Sequence, residues 1–168
     1  MSGELTVLRL LHIIPGAFWV GAAIFVAFIL EPAVSKLGPQ VEQPLFARLG
    51  KTMGPIMTIN GVITIVFGLV LVARTPARGF DQLFTNGWGT AIGIGLIAAL
   101  IAFVAGAMTG VQAAKIGRIA ASFAPGAPPP AEKVAQIGTI KQRVRMFSRA
   151  NAVLAVVSIG TMAVARYV

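Results

Sequence analysis

Four long stretches of this chain carry almost no charge, and a pattern of that kind leaves few folds open. His12 is the only ionisable side chain between Arg9 and Glu31. None at all lies between Lys51 and Arg74, between Asp81 and Lys115, or between Arg149 and Arg166. A helix needs about 20 predominantly apolar residues to cross a hydrocarbon layer of about 30 Å, and each stretch meets or approaches that length. Charged residues make up only 11% of the chain, against about 25% in ordinary globular proteins, and the mean hydropathy is +0.85. Four crossings with short connections fill 168 residues and leave no room for a separate soluble domain. The expected fold is therefore all-α: an integral membrane four-helix bundle of up-down topology, a single transmembrane domain over residues 1–168.

Punctuation along the chain sets the expected helices at residues 5–31, 53–73, 88–120 and 134–166. The first stretch is too long for the apolar core of a cleavable signal and lacks a small-residue cleavage site, so it is expected to stay as a membrane helix. Glu31 and Pro32 mark its end, a charge followed by a residue that restricts its predecessor. Residues 36–51 contain Pro39 and Pro44, and the spacing of Val41, Leu45, Phe46 and Leu49 predicts a short amphipathic turn at the surface. Pro76, Gly79, Asn86 and Gly87 predict a compact turn, with Phe80, Phe84 and Trp88 as an interfacial aromatic belt. Pro125, Pro128, Pro129 and Pro130 predict an extended linker before the fourth helix.

The net charge of +9 points to topology rather than to nucleic acid, because the basic residues flank apolar spans. Lys36, Arg48, Lys51, Lys115, Arg118, Lys133, Lys141, Arg143, Arg145 and Arg149 fall on one side. Only Arg9, Arg74, Arg78 and Arg166 fall on the other. Short cytoplasmic loops retain lysine and arginine, so both termini are expected on the outer side. Helix contacts in lipid rely on small residues spaced four apart. Gly89 with Gly93, Gly106 with Gly110, and Ala17 with Gly21 are the candidates, serving first the bundle itself and alternatively a homo-oligomer seam.

The chain has no cysteine, so disulfides, thiolate metal sites and cysteine nucleophiles are excluded. The five acidic residues, Glu4, Glu31, Glu42, Asp81 and Glu132, all read as helix-end or loop residues, with no intramembrane carboxylate for a proton relay. No Ser–His–Asp set or phosphate-binding glycine loop is evident. Asn60 and Asn151 lie within spans 2 and 4, where hydrogen bonding between helices is the default role.

His12 is the candidate for chemistry. Intramembrane ionisable groups are costly and are functional candidates by default, and imidazole is a frequent ligand of haem iron and other metals. Pro15 is expected to bend the helix beside it, leaving the Leu11 carbonyl without its donor. The bland alternative is a neutral histidine hydrogen-bonded to a neighbouring helix. One histidine cannot make a bis-histidine haem site within one chain, so a second axial ligand must come from methionine, water or a partner subunit. Antiparallel geometry puts His12 level with residues 70–72, 92–95 and 161–166, a window that includes Met162. Met53 and Met57 share a helix face at the opposite end and suit Cu(I) as an alternative metal.

Leu11-His12, then Trp19-Val20-Gly21-Ala22 and Pro32, resemble the opening helix of the copper-resistance protein D domain and of the HemJ-type membrane protoporphyrinogen oxidases. Gly61 or Gly68, Trp88, and the basic approach at Arg145 and Arg149 extend the resemblance loosely along the chain. The HemJ-type resemblance implies b-type haem on His12. Those enzymes also use a lysine inside helix 3, and this chain has none between Trp88 and Ala114, so haem binding carries over and porphyrinogen oxidation does not. The copper-resistance resemblance implies metal handling. The leading expectation is a haem b-binding protein or redox-complex subunit of the bacterial inner membrane, with His12 and Met162 as cofactor-binding residues and quinone or a membrane redox protein as partner. A copper-handling protein and a cofactor-free accessory subunit are the alternatives.

Overall fold

The computed structural model describes residues 3–75, 78–123 and 130–168. Pro76 and the proline-rich stretch 124–129 of the expected linker lie outside the described residues. The first span consists of α1 (Gly3–Ile24), a π-helical turn (Phe25–Leu30) and α2 (Glu31–Ser35). The others are α3 (Pro39–Arg74), α4 (Gly87–Ala121) and α5 (Ala131–Val164). Together they make four helices long and apolar enough to cross a membrane, and no strand occurs among the described residues. The protein is an all-α four-helix bundle with the character of a multi-pass membrane protein. Within the most apolar window of each span only 11% to 33% is buried by the rest of the chain, so most of the apolar surface is left for lipid.

Two differences from the sequence reading have clear physical causes. Residues 39–51 do not form a separate surface turn but open α3, a helix of 36 residues. Pro39 occupies the first turn, where a missing N–H costs nothing. Pro44 and Pro55 free the carbonyls of Gln40 and Lys51, both exposed residues. At a rise of about 1.5 Å per residue such a helix runs about 54 Å, well past a hydrocarbon layer of about 30 Å, so its basic opening turns extend beyond the apolar zone.

The second difference concerns Glu31, which does not end its helix. The chain stays helical through Pro32 to Ser35 because the preceding turn widens, with the Glu31 N–H donating to the carbonyl of Val26 five residues back. Widening by one residue relieves the clash that a proline ring imposes on the turn before it. Glu31 thus lies one turn before the end of the first span, half-buried.

Pairings at both ends mark the register of the helices. Arg74 donates to Glu4 at 2.8 Å, tying the end of α3 to the start of α1. Lys141 donates to Glu42 at 2.7 Å, tying the openings of α5 and α3. The bundle order places α1 against α3 and α5, and α4 against α3 and α5, with α4 and α5 most extensively packed. Trp19 and Val20 meet Ala102 of α4 and Ala155 of α5 at the centre, while Ala23 and Ala27 meet Ala152. Alanine dominates this core because lipid exerts no hydrophobic drive between helices, so contact depends on close backbone approach.

The small residues that make these contacts differ from the expected pairs. Gly21 and Gly110 have open space where a Cβ would stand. Gly89 and Gly93 instead receive the connection before α4, Gly89 beneath the Gln82 backbone and Gly93 beneath the Phe84 ring. Phe84 adopts a left-handed backbone, φ 63°, uncommon for a bulky residue. Gly61 lies under the Phe103 and Trp19 rings, which meet edge to face at 6.1 Å. Asn86 caps α4 by accepting from the Gly89 N–H at 2.8 Å.

These contacts sort the glycines by consequence. Gly61→Ala sets a methyl 2.8 Å from the Phe103 ring and is expected to lower stability by about 1–3 kcal/mol. Gly21→Ala and Gly110→Ala are expected to be neutral or to raise stability by up to about 1 kcal/mol, the helix preference for alanine. Thermal unfolding in one detergent, followed by circular dichroism, checks the order.

Candidate functional site

His12 lies in the seam between α1 and α3. Its Nδ1 is 2.7 Å from the backbone carbonyl oxygen of Thr64. A carbonyl can only accept, so Nδ1 carries the proton and donates. In the neutral ring Nε2 then holds a lone pair. Nε2 has no hydrogen-bond partner among the described residues and is not among the buried atoms.

Local sequence explains how the ring reaches a carbonyl inside a regular helix. One turn after Thr64 stands Gly68, and a Cβ there would lie 2.8 Å from Cε1 and 2.9 Å from Nδ1 of His12. The imidazole occupies the space that any other residue would fill. One turn further along α1, Gly16 leaves room for the Thr64 side chain, whose methyl would stand 3.1 Å from a Cβ at that position. The Thr64 hydroxyl donates to the Asn60 carbonyl at 2.7 Å, which fixes the methyl toward α1. His12, Gly16, Thr64 and Gly68 form one interlocked unit.

α1 is helical through Pro15, and His12 takes its partner from the opposing helix. His12 stands opposite Thr64 and Gly68, about a turn deeper along α3 than the expected residues 70–72. The Glu4–Arg74 pair explains the offset, because it brings the N-terminal turn of α1 level with the last residue of α3.

The other candidates fall elsewhere. Met162 packs against Gly95 in the seam between α4 and α5, its Cγ 2.9 Å from a Cβ built there. Trp19 stands opposite Phe103, and stepping back equally along α1 and α4 leads to His12 and Leu96, so Met162 shares the height of His12 but lines a different seam. Met57 is half-buried and packs against both central clusters, as a core residue does. Met53 lies one turn away on the same helix, half-buried. Asn60 departs from the expected interhelical role: its amide donates to Ile56 of its own helix at 2.8 Å. Asn151 does face another helix, lying beside Gly106, with its Oδ1 buried and unpartnered among the described residues.

The hydrogen bond from His12 to a neighbouring helix is the one the sequence offered as its plainer alternative, but the sequence did not identify Thr64 as the partner. Thr64 contributes through its backbone, which has no residue-type signature, and Gly68 contributes by lacking a side chain. The signal within reach was Gly68 itself, a glycine in mid-span where helix propensity disfavours it. Among the described residues no three of His, Asp or Glu come together as a metal cage. Comparison with protein-family models, curated proteins and solved structures finds no match to the chain.

The ring and the glycine are expected to be coupled. Gly68→Ala should displace the imidazole, break the bond to Thr64 and lower stability by about 1–3 kcal/mol. In a His12→Ala background the same substitution should be neutral or stabilising, as alanine is in an open helix position. A double-mutant cycle on thermal midpoints, with coupling near zero as the contrary result, tests this.

Proposed function

We propose that the protein is a small haem b-binding membrane protein or redox-complex subunit in which Nε2 of His12 is the axial ligand. The observation that carries this reading is the Nδ1–H to Thr64 carbonyl bond at 2.7 Å. Ligating histidines commonly donate their second ring nitrogen to a carbonyl or carboxylate, which fixes the tautomer, orients the ring and raises the basicity of the ligating nitrogen. His12 has that arrangement before any ligand arrives. The donor set fits a haem better than a bare ion, because one imidazole suffices for a porphyrin-held iron.

The haem would supply one-electron chemistry. Thr64 would hold the ring in register, Gly68 would let it lie against α3, and the low-dielectric bundle would favour the less charged redox state. A second ligand, where one is used, would come from Met162, whose side chain would have to leave its place beside Gly95, from water, or from a partner subunit. Quinone or a membrane redox protein is the electron partner of this reading, which keeps the chain beside the HemJ-type and copper-resistance D proteins that its first span resembles.

Reduced-minus-oxidised spectra of the detergent-purified protein, with haem supplied during expression, test the ligand. A Soret band lost in His12→Ala and weakened in Gly68→Ala is expected. A colourless protein, or a band indifferent to His12→Ala, would favour the cofactor-free accessory subunit and remove haem from the account. Met162→Leu should shift the spectrum only if methionine is the trans ligand.

The proposed location is the bacterial inner membrane, with both termini outside and His12 toward the outer face. The absence of cysteine makes every introduced thiol a unique reporter. In intact cells Gly3→Cys should react with a membrane-impermeant maleimide and Arg143→Cys should not; the reverse pattern overturns the orientation.

A further inference from the structure

At the opposite end of the bundle from His12, a cavity of about 180 Å³ opens between the end of the first span and α5. It is lined by Ala27, Glu31, Pro32, Ser35, Lys36, Arg145 and Arg149. Three cations surround it and one carboxylate lies within it.

The polar groups here are incompletely satisfied. Arg145, Arg149 and the Ser148 hydroxyl face the Glu31 carboxyl, yet Glu31 forms no ion pair among the described residues. Its Oε2 is buried without a hydrogen-bond partner. Glu42, the other nearby carboxylate, is already paired with Lys141 at 2.7 Å. Arg145 and Arg149, four residues apart, share one face of α5 and form a clamp suited to phosphate oxygens. Lys36 adds a third donor, and no described side chain or backbone group engages these three cations by hydrogen bond.

We propose that this cavity binds the headgroup of a phospholipid bearing an ethanolamine, its phosphate taken by Arg145, Arg149 and Lys36 and its ammonium by Glu31. Two facts favour lipid over a soluble phosphate. The cavity lies at the basic end of the first span, where an apolar helix meets the headgroup zone. Phe25, Phe28 and Ile29, nearer the centre of the same span, are all exposed, so apolar surface for acyl chains continues from the cavity. The buried carboxylate oxygen selects the ammonium, since a charged acceptor gains most from a charged donor.

Native mass spectrometry of the full chain, delipidated and then titrated with phosphatidylethanolamine or phosphatidylglycerol, tests the proposal. The wild-type protein should retain the ethanolamine lipid preferentially. Arg145→Gln with Arg149→Gln should reduce retention about tenfold or more, the loss expected of a charge-assisted contact. Arg143→Gln, exposed on the same helix and outside the cavity, should change nothing. Glu31→Gln should keep phospholipid binding but erase the preference for ethanolamine. Retention unaffected by the double substitution overturns the site, and a preference that survives Glu31→Gln overturns the role of the carboxylate. Inorganic phosphate displacing the lipid at equal concentration overturns lipid as the occupant. Circular dichroism of each variant, with helical content unchanged, separates lost binding from lost fold.

Discussion

Backbone polar groups have no partner in hydrocarbon, and the rest of this structure follows from that. Each chain crossing has to close its hydrogen bonds internally, so it is a helix. Helices that gain nothing by hiding from water hold together by close approach, which explains a core of Ala102, Ala152 and Ala155 around one large ring, Trp19. The polar residues that do enter the spans bond mainly to backbone carbonyls. Thr58, Asn60, Thr64, Thr109 and Thr161 all donate to carbonyls of their own helices. His12 instead crosses to another helix.

That crossing depends on subtraction as much as on chemistry. A histidine on α1 would press against α3 wherever the two helices touch, and only a glycine one turn beyond the accepting carbonyl lets its ring lie flat enough to bond. The proton is thereby confined to one nitrogen by a neighbour that mutation of side chains cannot remove. The other nitrogen stays open.

The number, kind and rough extent of the helices were legible in the sequence because the bilayer demands apolar length, and composition records apolar length directly. Helix ends were less legible. Pro39, Pro44 and Glu31-Pro32 are strong local stop signals, yet α3 absorbs its prolines at its first turn and at exposed carbonyls, and the first span absorbs Pro32 by widening. Packing was least legible. Of the glycines that spacing nominated, Gly106 meets Asn151 of another helix and Gly89 and Gly93 receive the preceding connection, while Gly21 and Gly110 face open space. Gly61 and Gly68, which spacing did not nominate, pack closely against side chains from other helices. A spacing rule says which residues share a face, but the register between helices says which face is used. Here that register is marked by pairs far apart in the chain, Glu4 with Arg74 and Glu42 with Lys141.

The widened turn at Phe25–Leu30 acts as a phase adjuster. An α-helix advances about 100° per residue, so one surplus residue rotates all that follows by roughly that angle about the axis. Without it, the azimuth that points His12 at α3 would dictate where Glu31 and Val34 point as well. With it, the imidazole can be aimed at α3 and the Glu31 carboxyl at α5 along a single rod.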